Sequence, residues 1–416
     1  MDFINSDDLR KQFTVDGNDS MEIKLIRNPD DLHSDSCSFK PDMCHQIFVP
    51  DEQIFGYKGL KIKLYYTAGN LTTYVGMEYE ERISAPGMEP DDVMKSLRKV
   101  ILTPFETNFS EFERLLEADD TFRPHGELIH SCTVGDSNNP RTLEIYVNTT
   151  SDSAFLEYYK RAQTFVLLYI DAANYVNPDD GDWIFFLVYE KYRSVDMSVK
   201  YGLVGYASVY EYYAYPANIR PRMSQILVLP PFRRMGICVK LINAIYQYYV
   251  PNNRVVDITV ESPSVEFQRV RDYVDCINCM TLDEFSSNKL RCGINQDMFT
   301  QAKNKFKINR KQILRVYEIL RLYYTNLHND KEYKAYLHEL KERRLKPNKR
   351  VQTRKKKFMA FFGSDPEVIP PTLPEEEDSD SEEQALLESQ LHNVLVEYEA
   401  VINRINKDGP PGINQK

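Results

Sequence analysis

Residues 225–249, QILVLPPFRRMGICVKLINAIYQYY, read as an apolar strand, a turn and a long amphipathic helix. A strand that feeds a helix through a tight turn leaves backbone N–H groups at the helix start. Those donors, with the helix dipole, favour an anion. Arg233 and Arg234 add positive charge at the same spot, and Gly236 lets a ligand come close to the backbone. A diphosphate is the natural guest. The signatures GxGxxG and GxxxxGKS/T are absent, which excludes a Rossmann dinucleotide site and a nucleotide P-loop. Two acids stand out beside this joint. Glu261 ends the strand-like run VVDITVE (255–261), and Asp171 lies at the end of a long helical pattern, 153–176, that is apolar on most faces.

The turn Arg233-Arg234-Met235-Gly236-Ile237-Cys238 is similar to the RxxGxG/A turn of acetyl-CoA-dependent acetyltransferases. The chemistry it implies is amine acetylation. A lysine ammonium has a pKa of ~10.4 and cannot attack until it loses a proton. A carboxylate near the thioester, directly or through a water, can take that proton, and desolvation makes a carboxylate a stronger base. Glu261 and Asp171 are the candidates. The competing reading of Glu261, which stands before Ser262-Pro263, is a solvated turn residue or a helix-start acid. Cys238 sits at the anion turn, where no nucleophile is needed, so direct transfer without an acyl-enzyme is expected.

The elements that must position these residues are legible in outline. MEIKLIRN (21–28), KGLKIKLYYTAG (58–69), LTTYVGMEYEERI (71–83) and LEIYVNTT (143–150) read as strands, and 90–101 and 110–118 as helices. DWIFFLVYEKY (182–192) and YGLVGYASVYEYYAY (201–215) read as paired strands. Strands at 223–229 and 255–261 around the 237–249 helix make a parallel crossover unit. Residues 298–345 are helical throughout and form a small bundle. A strongly basic run (341–357), a Pro-rich linker and an acidic run (375–383) follow. The basic run is either a nuclear address or a solvated linker. A last helix carries Leu387, Leu391, Val394, Tyr398, Val401 and Ile405 at heptad spacing. That seam docks either on a partner or on the chain's own body.

At 416 residues and 42% apolar content, the chain has material for two or three domains. The net charge of −10 argues against general nucleic-acid binding and permits a basic protein partner. Seven cysteines, odd in number and irregular in spacing, suit a reducing compartment. Cys276 and Cys279 form one CxxC, without the second pair or His cluster of a zinc site, so no metal is expected. No signal-peptide pattern and no run of ~18 apolar residues appears, so no membrane association is expected.

With these residues in place, the chain resembles the type B histone acetyltransferase catalytic subunits, which are GNAT-type enzymes. The resemblance covers about residues 40–345. It rests on FGYKGLKIKLYY (55–66), the strand of Trp183, VYEYYAYP (209–216), RPRMSQILVLPPF (220–232) and DITVESP (257–263). It implies acetyl-CoA as co-substrate, Glu261 as general base and Asp171 as a second acid. The backbone of Ile226, Leu227 and Val228 would hold acetyl-CoA. The segment from Arg233 to Val239, including Arg234, Met235, Gly236, Ile237 and Cys238, would hold its diphosphate. Asp51, Glu52, Trp183, Tyr210, Glu211 and Tyr212 would contact the histone tail. Core histones, chiefly the histone four tail, and a WD-repeat beta-propeller histone chaperone are the implied partners, in nucleus and cytoplasm. The terminal seam is a candidate for assisting chaperone docking.

Two departures from the family pattern concern the site. The family loop resembles QGxGHG, so Cys238 replaces a glycine. The family has an acid directly after the base, and here Ser262 stands there.

The expected fold is α+β. A GNAT-type mixed sheet with flanking helices (141–275) follows an α/β N-terminal domain (1–140). A helical bundle (276–345) and a flexible charged tail with a terminal helix (346–416) complete the chain. The rival functions are a histone-binding escort without turnover and a GNAT enzyme for a non-histone amine.

Overall fold

Runs rich in Tyr, Val, Ile and Thr pair where alternation lets one face be buried. The computed structural model describes residues 6–49, 51–135, 139–194, 196–343 and 379–410. It divides into two compact units, Met1–Ser262 and Pro263–Lys416. The class is mixed α and β, as the sequence led us to expect.

The first unit holds two larger sheets. A four-stranded sheet has the order Ser38–Phe39, Met21–Ile26, Lys61–Thr67, Thr73–Glu78, with the middle pair parallel. A six-stranded sheet has the order Thr259–Val260, Asn218–Val228, Val199–Ala214, Trp183–Arg193, Arg141–Thr149, Glu127–Val134. Only its first pair is parallel, and the crossover between those strands is the helix Ile237–Tyr249. The outermost strand, Glu127–Val134, begins this sheet before the boundary read at residue 140.

Aromatic side chains fill both faces of the six-stranded sheet. Helix Ser153–Ala162 starts at Asp152, whose carboxylate accepts the N–H groups of Ala154 and Phe155. It sets Tyr159 against Phe185 and Tyr206, with ring centroids 4.4 and 5.5 Å apart. On the other face Phe186 meets Tyr248 and Tyr249 of the crossover helix. Burying one such ring contributes about 1.5–3 kcal/mol.

Three elements differ from the sequence reading. The 153–176 helix is two helices, Ser153–Ala162 and Thr164–Tyr169, and it stops at Ile170. The Gln163 side chain accepts the Val176 N–H at 2.6 Å, which draws the chain back as a loop, and Ala172 adopts a φ of 53° within it. Asp171 therefore lies in a turn. The 255–261 strand shrinks to Thr259–Val260, with Asp257 committed to Arg220 at 2.6 Å. The Val265–Met280 helix, counted with the central domain up to residue 275, lies in the second unit.

The second unit is helical. Val265–Met280, Gln296–Phe306, Arg310–Tyr323 and residues 330–343 surround a core that includes Cys276, Cys279, Val316 and Leu320. Burial pushes both thiols well above the usual cysteine range. Among the described residues no group of three His, Cys, Asp or Glu could hold a metal ion.

The terminal helix, Ser379–Asp408, belongs to the same core. Tyr398, Val401 and Ile405 are fully buried there, and Leu391 and Val394 partly. The Tyr398 hydroxyl donates to Glu318 at 2.6 Å, and Arg315 pairs with Glu397 at 2.6 Å. The seam thus docks on the chain's own body, one of the two outcomes its spacing left open. The side chain of Leu387 and the charged run at 344–378, expected to be flexible, lie outside the described residues.

Candidate active site

The strand–turn–helix joint forms as read. Strand Asn218–Val228 ends at Leu229, Pro230–Phe232 make a single 3-10 turn, and helix Ile237–Tyr249 begins after Gly236. Gly236 adopts a φ of 76°, and no side chain caps the helix start. A Cβ at Gly236 would meet nothing within 4 Å, so the space above it is open. Arg234 also has a positive φ, 63°, which a non-glycine residue holds only under local constraint. Its side chain is exposed and makes no ion pair among the described residues.

Arg233 is committed differently. Its guanidinium pairs with Asp42 at 2.8 Å, donates to the Val228 carbonyl at 3.2 Å and lies 5.1 Å from the Tyr169 ring centroid. Of the two arginines at the turn, Arg234 is the one whose charge is open to a diphosphate. Met235 and Val239 are half-buried, Ile237 is buried with only its backbone at the turn, and Cys238 is half-buried.

The strand before the turn has one open edge. Ile226, Leu227 and Val228 pair with Ala207, Tyr206 and Gly205 on one side. On the other side, among the described residues, the parallel pairing consists of an isolated bridge at Ile219–Val255 and the pairs Arg222–Thr259 and Met223–Val260, and it ends where the Glu261 N–H meets the Met223 carbonyl at 2.9 Å. From Ser224 onward the two strands part. An extended chain bearing amides could align with that edge and reach the uncapped helix start, so the residues present fit an acyl carrier with a diphosphate head.

Glu261 stands at the point of parting. Ser208 faces Gln225 and Val209 faces Met223, so Ser224 is an extra residue in a β-bulge. The bulge aims its hydroxyl at Glu261, which accepts at 3.0 Å. Glu261 is exposed. Ser224 was missed in the sequence. A bulge has no signature there, because it is set by how two strands register.

The second acid lines a concave surface. Asp171, with 79% of its side chain exposed, joins Met43, His45, Asp51 and Glu52 around a concave surface. His45 lies between Asp171 (Nε2 to Oδ1, 3.3 Å) and Glu52 (Nδ1 to Oε1, 3.7 Å). Glu52 organises the loop that makes this pocket. Its Oε1 accepts the N–H groups of Cys44 (2.7 Å) and His45 (2.9 Å), and its Oε2 accepts from the Asn18 side chain (2.7 Å). The Cys44 N–H, then Asn18 and the His45 N–H, hold its carboxyl below the usual range against a smaller opposing effect of burial. Gly17 permits the close packing: a Cβ there would lie 2.7 Å from Cys44 Sγ.

A pH dependence follows from Glu52. A depressed folded-state pKa stabilises the loop above the ordinary carboxylate pKa, and the contribution is lost as pH falls through the lower folded value. Amide protection at Cys44 and His45 is expected to weaken as pH drops below about 4.3, and Glu52→Gln to remove that dependence. Unchanged protection into the acid range would contradict it.

The remaining expected residues divide by strand alternation. Trp183 pairs with Tyr210, the rings 5.0 Å apart, and Tyr210 meets Tyr212 at 4.6 Å. The Tyr210 hydroxyl donates to Asp180 at 3.0 Å, which raises its pKa. Glu211 points to the opposite face, beside Tyr249 of the crossover helix, and burial raises its carboxyl pKa. The expected grouping of Tyr210, Glu211 and Tyr212 is therefore corrected: the two tyrosines share a surface with Trp183, and Glu211 does not.

Comparison with known proteins bears on this geometry directly. Residues 13–171 match the family model described as Histone acetyl transferase HAT1 N-terminus, and residues 271–322 match Histone acetyltransferase type B catalytic subunit, C-terminal. The chain is 38% identical over 403 residues to the histone acetyltransferase type B catalytic subunit of Homo sapiens, covering 95% of this chain and 94% of that protein. The chain belongs to the histone acetyltransferase type B catalytic subunit family. The Rattus norvegicus member is 38% identical over 401 residues, covering 95% and 94%, and a Dictyostelium discoideum member 32% over 362 residues, covering 80% and 77%. As a member of the type B family the chain is an acetyltransferase. Its departures from the family pattern now have positions: Cys238 is in the first turn of the crossover helix, and Ser262, with a φ of 34°, directly follows Glu261.

Proposed function

We propose that this chain transfers the acetyl group of acetyl-CoA to lysines in the N-terminal tails of newly made, free histones, chiefly histone four. One observation carries the reading. The open strand edge that leads to the anion turn starts at the same residue, Ser224, whose hydroxyl holds Glu261.

Acetyl-CoA, when bound, supplies a thioester carbonyl that a neutral amine can displace. The backbone of Ile226–Val228 aligns its extended arm, and Arg234 with the start of the crossover helix receives its diphosphate. Glu261 accepts the ammonium proton of the incoming lysine, directly or through a water. The freed amine would then form the C–N bond as the C–S bond breaks, and the second proton of the attacking nitrogen would pass to the departing thiolate. Asp51 and Asp171 draw a cationic tail toward the site, and Trp183, Tyr210 and Tyr212 give an extended peptide an aromatic surface. A WD-repeat beta-propeller histone chaperone is the proposed partner, and nucleus and cytoplasm the proposed locations. Its contact surface is to be sought away from Tyr398, Val401 and Ile405.

A panel of acceptor peptides tests the substrate class. The histone four tail is expected to exceed a charge-neutral lysine peptide in kcat/KM by about tenfold or more. Equal values would support a non-histone amine. Ser262 and the exposure of Glu261 favour one second reading, a histone-binding escort with slow turnover.

A further inference from the structure

One short segment reaches both substrate sites. The Tyr169 hydroxyl donates to the Lys40 carbonyl at 3.1 Å, and the N–H groups of Asp42 and Met43 meet the Leu168 carbonyl at 3.0 and 3.3 Å. These bonds seat residues 40–43 on the end of helix Thr164–Tyr169. The Asp42 carboxylate then turns to Arg233 at the anion turn, 2.8 Å away. Three residues later His45 meets Asp171, and the Gln46 side chain donates to the Ala173 carbonyl at 2.9 Å. Glu52 ties the far end of the same segment back onto Cys44 and His45.

We infer that Asp42 and Arg233 are a positioning pair that ties the acidic acceptor pocket to the acyl-donor turn, so that filling one site stiffens the other. The inference rests on the function proposed above. Asp42 touches neither pocket's ligand in this reading. It acts through Arg233 on one side and through the strap of residues 40–46 on the other. An ion pair this exposed is weak by itself. Here it closes a ring that already contains the backbone bonds to Leu168, the Tyr169 hydroxyl and the Tyr169 ring under the guanidinium. An anion settling at the turn adds a further restraint on the residues next to Arg233. The strap carries that restraint to His45 and Asp171. A cationic acceptor then meets a pocket whose ordering cost has been met in part.

The test measures binding of a histone four tail peptide to the full chain, with and without saturating CoA, by calorimetry. For the wild type, CoA is expected to tighten peptide binding by about fivefold. Asp42→Asn is expected to abolish that gain, while Asp42→Glu, which keeps the carboxylate, retains most of it. Arg233→Gln, read at CoA concentrations that still saturate, is expected to lose the gain too, and it serves if Asp42→Asn does not fold. A simple packing role for Asp42 would lower the melting temperature without changing the CoA-dependent gain. A full gain in Asp42→Asn or in Arg233→Gln overturns the pairing, as does the absence of any gain in the wild type. A wild-type chain that binds neither CoA nor peptide removes the proposed function, and the pairing with it. Binding of both without coupling removes the pairing alone.

Discussion

Glu261→Gln lowers kcat for acetyl transfer to a histone four tail peptide by about a hundredfold to ten-thousandfold, with the peptide KM little changed. The carboxamide has nearly the shape of the carboxylate, and its oxygen can still accept from Ser224. The bulge and the parting of the strands therefore survive, and only basicity is lost. Ser224→Ala is the companion variant. It leaves the base but frees its orientation, so a smaller fall of about threefold to tenfold is expected, on the scale of an ordinary exposed hydrogen bond. Quenched-flow or steady-state assays of the two variants read the difference in size. A kcat untouched by Glu261→Gln would move proton removal to Asp171 or to a water chain. Ser262 sharpens the expectation. With no acid directly after Glu261, less carboxylate is left to cover for its loss.

Tyr398→Ala destabilises the Pro263–Lys416 unit by about 3–5 kcal/mol, the usual cost of deleting a buried aromatic ring. Tyr398 is fully buried, and its hydroxyl donates to Glu318. The alanine variant thus leaves a cavity and also removes one hydrogen bond of a buried carboxylate. Tyr398→Phe isolates the second effect, and about 1–3 kcal/mol is expected for it. Chemical denaturation followed by circular dichroism reads both. If the heptad seam served a partner, Tyr398→Ala would leave the chain's own stability alone and weaken the complex. The opposite pattern is expected here, because Arg315, Glu397, Val401 and Ile405 bind the same helix to the same core.

What was legible in the sequence was local. The 225–249 joint could be read because strand, double proline, glycine and helix periodicity are contiguous, and each has its own physical cause. The parallel crossover followed from element order. The heptad seam announced an apolar face, but periodicity does not say what covers a face, and here the covering surface comes from the Val265–Met280 and Arg310–Tyr323 helices. The end of the 153–176 helix was hidden because its apolar pattern continues past Tyr169, while the turn is enforced by the side chain of Gln163. Glu211 was recoverable. Alternation alone separates it from Tyr210 and Tyr212, and the grouping by resemblance overrode that signal. Ser224, His45 and Asp42 were not recoverable. Their roles come from register and from partners far along the chain, and single-sequence patterns carry neither.

The function proposed here is that of a working lysine acetyltransferase for histone tails rather than an escort. Acetyl transfer from labelled acetyl-CoA to a histone four tail peptide by the purified chain, with product mapped by mass spectrometry, separates the two. The expected result is multiple turnover on tail lysines, which stops when those lysines are replaced by arginine. Tight binding of both acetyl-CoA and the peptide with no acetylated product would contradict the claim, and would mark Ser262 and Cys238 as signs of a site that binds without reacting.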